Sequence, residues 1–393
     1  MNKTIRKAFK FKLKATPEAS QQLANFAGGS RFVWNKTLAL NLDRLEQKAP
    51  LLWYQEMNFW STLWKQSDEY GFLKELPSQV IQQKLSDLEK AFKDAFDKNQ
   101  PLKRIPKFKK KGQRDSFRYP QGFKINQQKN KVFLPKIGWL SYRNSRKIIG
   151  EAKNITVSRK GKYWYIAIQT EYEAELLPHQ STSIVGIDMG IKQFATLSDG
   201  TVYAPLNSFK AKADKLAKLQ RQLKHKKKFS ANWKKVKAKI TQCHEDIGNA
   251  RKDYLHKIST EISESQAVIV IEDLRVKNMS KSAKGTSEKH GKQVAQKAGL
   301  NKSILDQGWS LFATMLDYKQ NWNNGIVLRV PAHHTSQTCP SCRHVAKENR
   351  LTQAEFVCVE CGFSENADLV GAINVLAKGH VLLAGNQPSG RRG

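Results

Sequence analysis

Two short runs limit what this chain can fold into more than anything else in it: residues 183–190, S-I-V-G-I-D-M-G, and residues 267–274, A-V-I-V-I-E-D-L. Each is a nearly continuous apolar or glycine stretch that ends in acid, Asp188 in the first and Glu272-Asp273 in the second. Such runs read as strands buried on both faces, and they deliver a carboxylate at the C-terminal end. Directly after the first, residues 194–205 (F-A-T-L-S-D-G-T-V-Y-A-P) read as a hairpin turned at Asp199-Gly200. Taken alone, an acid at a strand end can serve chemistry or cap a loop.

At 393 residues the chain is long enough for two or three domains with real cores, and its 39% hydrophobic content exceeds what disorder requires. Lys and Arg number 68 against 34 acids, a formal charge of +34. A surplus of that size calls for a polyanion, and nucleic acid is the default partner. A membrane surface fits less well, because no long apolar segment or basic-apolar anchor stands out. The N-terminal M-N-K-T-I-R-K-A-F-K-F-K-L-K alternates basic and apolar residues, so it reads as a strand and not as a signal peptide. A cytoplasmic protein is the expectation.

Residues 5–14 predict a period-2 strand, and Thr16-Pro17 starts a helix with Thr16 as cap. A second helical block spans about 50–98, with Ser78 as a candidate cap and the aromatic group Trp53, Tyr54, Phe59, Trp60 and Trp64. Residues 101–118 then turn strongly basic, and their prolines and glycine exclude a long helix. Lys103, Arg104, Lys107, Lys109, Lys110, Lys111 and Arg114 are candidate phosphate contacts there, with a solvated linker as the bland alternative. Residues 118–176 read as short strands which, with 5–14, suggest a small barrel interrupted by the helical block. Residues 206–265 predict a basic helical pair whose tip carries Lys226, Lys227 and Lys228. The segment 275–300 reads as a mobile polar loop, followed by one helix over 302–323 and a strand at 326–330.

Four of the five cysteines form two C-x-x-C knuckles, Cys339 with Cys342 and Cys358 with Cys361, separated by residues 343–357. Four thiolates at this spacing suit one closed, structural Zn²⁺. Cys243 stands alone and reads as a packed small hydrophobe. Beyond the knuckles, residues 363–376 start a helix capped by Ser364 or Asn366, with Asp368 in its first turn. That acid can simply complement the helix dipole. Yet Asp188, Glu272 and Asp368 lie on three separate elements. Two Mg²⁺ ions hydrolysing a phosphodiester need hard oxygen ligands converging from rigid elements, and these three can supply them.

At this point the chain resembles a known family. Gly186-Ile187-Asp188-Met189-Gly190-Ile191-Lys192, Ile271-Glu272-Asp273-Leu274, and the four-cysteine module followed by Asp368 and Asn374 are similar to the motif series of the TnpB family. These are transposon-encoded relatives of type V CRISPR effectors. Residues 9–13, 31–35, 76–80 and 134–138 match it too, so the likeness covers almost the whole chain. The resemblance implies an α/β multidomain fold: an RNase H-like, RuvC-type nuclease domain with an inserted zinc ribbon, and an N-terminal β-barrel (wedge) interrupted by an all-helical recognition lobe. The implied boundaries are 1–15 and 116–180 for the barrel, 16–115 for the helical lobe, 181–332 and 364–380 for the nuclease, 333–363 for the ribbon, and 381–393 for a flexible tail.

The same resemblance implies Asp188, Glu272 and Asp368 as catalytic Mg²⁺ ligands. It implies a guide RNA from the transposon end, and target double-stranded DNA read through a short adjacent duplex motif. A monomer carrying one RNA is the expected particle. The family commonly places D-x-N-A-A around its third acid; here residues 368–372 read D-L-V-G-A, and Ala367 stands where a basic residue usually precedes. The acid itself is retained, so cutting is expected. The alternatives are an RNA-guided repressor with weak or no cutting, a DNA-joining transposase, and a zinc-stapled binding protein without activity.

Overall fold

The computed structural model describes residues 2–113, 115–175, 177–286, 288–350 and 352–385. It divides into two compact units, Met1–Glu175 and Leu176–Gly393. Arg114, and residues 386–393 of the expected tail, lie outside the described residues.

The first unit begins with β1 (Asn2–Lys14), which buries Ile5, Phe9, Phe11 and Leu13 while Ala8, Lys10 and Lys14 stay exposed, the alternation a pleated strand imposes. Helix α1 (Pro17–Glu46) follows, with the Thr16 hydroxyl accepting from the Ala19 N–H. Then come α2 (Tyr54–Gln66) and α3 (Ser78–Phe96). The chain returns to strands as β2 (Ser116–Tyr119), β3 (Lys124–Asn126), β4 (Lys131–Leu134), β5 (Gly138–Tyr142), β6 (Glu151–Lys160) and β7 (Tyr163–Glu175). Their antiparallel order is β2-β6-β7-β1-β5-β4-β3. Strand β1 pairs with β7 up to Lys12 and with β5 at Leu13 and Lys14, so one strand joins both halves. Among the described residues no ladder links β2 to β3, so hydrogen bonds do not close the expected barrel. The helices share a single core with these strands, for example Leu23, Leu38 and Val80 with Phe11, Phe117 and Ile166.

The second unit carries β8 (Ile184–Asp188), β9 (Ala195–Leu197) and β10 (Val202–Tyr203), then α4 (Ala213–Lys224) and α5 (Ala231–Ser265). It continues with β11 (Val268–Glu272), α6 (Val276–Met279), α7 (Val294–Gln307), α8 (Trp309–Asn323) and β12 (Ile326–Val330). A two-stranded ribbon, β13 (Glu355–Val357) with β14 (Ser364–Asn366), leads straight into α9 (Ala367–Gly385). The five-stranded sheet has the order β10-β9-β8-β11-β12. Strands β8 to β10 form an antiparallel meander, whereas β8, β11 and β12 run parallel.

Period-2 alternation then assigns the faces. Val185, Ile187, Ile269 and Ile271 pack with Leu255, Ile262 and Phe312 of α5 and α8. Gly186 and Val270 turn to the opposite face, where α9 lies: a Cβ on Gly186 would sit 2.3 Å from the Ala372 carbonyl oxygen, and one on Gly379 would meet Val270. A glycine inside a buried strand here marks the close passage of another backbone.

Several expectations need correction. The helix expected over 302–323 is broken by Gly308, which at φ +76° ends α7 and starts α8. Within 275–300, Val276–Met279 form α6 and α7 begins at Val294, so the segment is not a loop throughout. Ser78 is the first helical residue and Pro77 holds the cap position without a side-chain bond. The tail expected from 381 is helical through Gly385. A long apolar segment does exist: α9 is long and apolar enough to cross a membrane by composition. Its first turns pack on the sheet, where Val375 joins Val270 and Val330, while Val381 and Leu382 near its end are exposed.

Candidate active site

In the parallel pair, Ile271 stands opposite Ile187, so Glu272 and Asp188 occupy the next register position at the C-terminal ends of β11 and β8. Both fall two residues beyond positions that face α9, and they therefore project toward it. The carboxyl ends of parallel strands are the usual place for a ligand crevice in α/β sheets. Helix α9 brings the third acid. Asn366 caps it, its Oδ1 accepting from the N–H groups of Asp368 (3.0 Å) and Leu369 (3.2 Å). Gly371 keeps the helix close, since a Cβ there would lie 2.8 Å from Asp188 Oδ2.

Asp188 feels the other two acids. Burial first, then the Glu272 and Asp368 carboxylates, push the Asp188 carboxyl up to about 7, against the opposing pull of Arg350 and the Met189 N–H. Burial also raises Glu272, while the Thr335 hydroxyl donates to its Oε1 at 2.6 Å and works the other way. Asp368 Oδ1 accepts from Arg350 at 3.3 Å. Asp188, Asp368, Arg350 and Lys192 line one cleft of about 420 Å³. Glu272 and Arg329 line an adjoining one of about 240 Å³, and Met189 and Trp309 form part of both. The three acids are thus neighbours, not yet a converged set. Among the described residues only the four cysteines have all their ligand atoms within 4.8 Å of one another.

That cysteine cluster is built from two matching turns. The Cys339 N–H bonds the His344 carbonyl and the Cys358 N–H bonds the Phe363 carbonyl. The residue after each second cysteine is left-handed, Arg343 at φ +65° and Gly362 at φ +71°. Sulfur pairs Cys339–Cys361 and Cys342–Cys358 stand 3.7 and 3.5 Å apart. A tetrahedron with metal–sulfur bonds of about 2.3 Å has edges of roughly 3.8 Å, so the four thiols suit a bound metal, whereas a disulfide needs about 2.05 Å. The module is tied to the acids. Asn374 of α9 donates to the carbonyls of Thr335 (2.8 Å) and Thr338 (2.7 Å), and Thr335 in turn holds Glu272.

The expected phosphate contacts divide. Lys103, Arg104, Lys107, Lys110 and Lys111 are exposed, as are Lys226, Lys227 and Lys228 at the α4–α5 tip, although Lys103 pairs with Asp94 at 3.4 Å. Lys109 is tucked in, its Nζ 3.5 Å from the Trp34 ring centroid. Nor is the basic run a free linker: Trp34 Nε1 donates to the Lys107 carbonyl, and Asn35 brackets Lys109 with two backbone bonds. Cys243 is buried in the α4–α5 seam. Sequence reasoning passed over Thr335 and Arg350, which have no local motif. Gly186 did carry a signal, as a glycine inside an apolar strand run.

Three family models match parts of the chain. Residues 167–283 match the OrfB_IS605 family model, described as "Probable transposase". Residues 309–375 match the Cas12f1-like TNB domain and residues 1–49 the OrfB_IS605 helix-turn-helix domain. The chain is 51% identical over 377 residues to the "Putative RNA-guided DNA endonuclease InsQ" of Escherichia coli (strain K12), covering 96% of this chain and 93% of that one. It is 30% identical over 385 residues to the "Putative RNA-guided DNA endonuclease" of Streptomyces pristinaespiralis, covering 96% and 90%. A solved Cas12f1–sgRNA–target DNA complex aligns at 15% identity and TM-score 0.34, covering 95% of this chain and 99% of that one. The chain belongs to the OrfB_IS605, or TnpB, family.

Proposed function

We propose that this chain is an RNA-guided DNA endonuclease of the TnpB type. It takes a guide RNA from the transposon end and double-stranded DNA bearing a short adjacent motif, and it works in the cytoplasm as a monomer with one RNA. The observation that carries the reading is the register position of Asp188 beside Glu272, with Asp368 delivered to them by α9. The β10-β9-β8-β11-β12 order, antiparallel and then parallel, is what an RNase H-like RuvC domain requires, with the cysteine module inserted before α9. The seven-stranded sheet of the first unit, unclosed by hydrogen bonds between its edge strands, is read as the wedge, and the unit's helices as the recognition layer.

Asp188, Glu272 and Asp368 would hold two Mg²⁺, whose charge assists in-line displacement at a phosphodiester. Arg350 and Lys192 offer cations to the phosphate in the same cleft. Thr335 orients Glu272, and the four thiolates would hold one structural Zn²⁺ that would brace the module carrying Thr335. Exposed lysines of the basic run and the α4–α5 tip bind backbone phosphates. Retention of all three acids favours a cutting enzyme over a repressor.

The test is Asp188→Ala in a plasmid-cleavage assay with the co-purified RNA. Mg²⁺-dependent cutting is expected to disappear while RNA binding persists. Cutting that survives would discard the assignment, and purified protein free of a defined RNA would favour the DNA-joining transposase.

A further inference from the structure

At the tip between α4 and α5, an exposed aromatic ring, Phe229, leans on a half-buried one, Trp233, among lysines. Phe229 is 65% exposed, and its ring centroid lies 5.4 Å from that of Trp233, the planes inclined at 58°. Lys226, Lys227 and Lys228 precede it, all exposed. Lys228 Nζ sits 5.3 Å from the Phe229 ring and Lys237 Nζ 4.6 Å from the Trp233 ring. Phe229 is also left-handed, φ +68°, a conformation that is costly for a bulky residue. The buried seam of the hairpin does not need this ring, since it is built from Leu216, Leu219, Cys243 and Ile247.

Part of the contact is local. Phe229 precedes the cap Ser230, whose hydroxyl accepts from the Trp233 N–H, so the ring pair resembles a staple at a helix start. A staple works by two apolar side chains shielding each other, yet Phe229 keeps most of its surface in water. Exposed rings framed by cations are the arrangement that binds single-stranded nucleic acid, with stacking on the base and charge on the backbone.

We infer that this tip stacks one unpaired nucleobase on Phe229 and Trp233 while Lys226, Lys227 and Lys228 hold the flanking phosphates. The two rings do not share a plane, so they offer no flat platform of base-pair width; a single base can use either face. The inference rests on the nucleic-acid reading above and adds a contact to it. RNA and DNA present the same chemistry here, and the test separates them.

The full chain, freed of nucleic acid, is irradiated with single-stranded RNA or DNA carrying 5-iodouracil, and with blunt duplexes of each. The expected result is a crosslink on the peptide containing Phe229 and Trp233 with one or both single strands, which names the source. Phe229→Gly should lose that crosslink and weaken single-strand binding by about fivefold to a hundredfold at unchanged salt slope. It should keep the parent thermal stability, because glycine suits a left-handed position. Replacing the three lysines with glutamine should instead flatten the salt dependence. Crosslinks elsewhere in the chain but none at the tip, crosslinks from blunt duplex alone, or a Phe229→Gly variant that melts early and binds normally would each overturn the inference. No crosslink anywhere would count against the nucleic-acid reading itself.

Discussion

Adding one methyl group at Gly186 is expected to disable the enzyme without touching any acid. A Cβ there would lie 2.3 Å from the Ala372 carbonyl oxygen, 2.5 Å from the Leu376 nitrogen and 2.8 Å from the Leu376 Cβ, where ordinary contact begins at 3.4 Å. Two of these neighbours are backbone of α9, so no rotamer change relieves the clash. The helix must retreat from β8 by about 1 Å, the gap between 2.3 and 3.4 Å. Overpacking of this kind costs about 1–3 kcal/mol. Asp368 rides on the same helix, one turn before Ala372, and a misplacement of about 1 Å at reacting groups costs on the order of 100-fold in rate. Gly186→Ala should therefore lower the melting temperature modestly and the plasmid-cleavage rate severely at saturating Mg²⁺. Gly248→Ala is the control: nothing lies within 4 Å of that position in α5, and removing a helical glycine should add about 0.5–1 kcal/mol of stability with cleavage unchanged. A Gly186→Ala enzyme cutting within about threefold of the parent would refute the claim that the passage of α9 over β8 sets the acid geometry.

Thr335→Val keeps the shape and removes the hydroxyl that donates to Glu272 at 2.6 Å. If Glu272 holds metal as proposed, losing its partner costs about 10–100-fold in metal affinity or activity. A titration of cleavage against Mg²⁺ should show the shift in half-saturation, and an unchanged curve would remove Thr335 from the site. Lys109 gives a pH prediction. Burial first, and Lys84 second, hold its ammonium down to about 7 from an ordinary 10.5. Between those values the unfolded chain binds more protons, so stability rises with pH across the window, and the full penalty applies below about 7. Lys109→Met should therefore stabilise the first unit most near neutral pH, with a gain that shrinks toward pH 10, as read by denaturation at several pH values. A gain of equal size at every pH would mean that packing, not charge, is responsible.

What the sequence revealed and what it hid follow one physical division. Apolar runs ending in acid, knuckle spacing and a glycine turn are local patterns, and they located β8, β11, the β9–β10 turn at Gly200 and the cysteine cluster. The relation between these elements is non-local. Nothing near Glu272 announces that its partner is Thr335, 63 positions on, because that bond exists only once β12 has paired beside β11 and Asn374 has drawn the module against α9. Arg350 is hidden in the same way, being a ribbon residue until β14 runs into α9 and sets it beside Asp368. The departure at residues 368–372 looks different in three dimensions. The position where the family commonly has alanine is Gly371, whose missing Cβ would press on Asp188, 2.8 Å from its Oδ2 and 3.2 Å from its Cγ. At Gly186 the obstructing atoms are backbone and cannot yield. The sheet–helix crossing therefore demands its glycine at 186, and at 371 a Cβ would press on the Asp188 carboxylate itself, so the glycine that departs from the family motif is the residue that lets α9 pass this close to the acid.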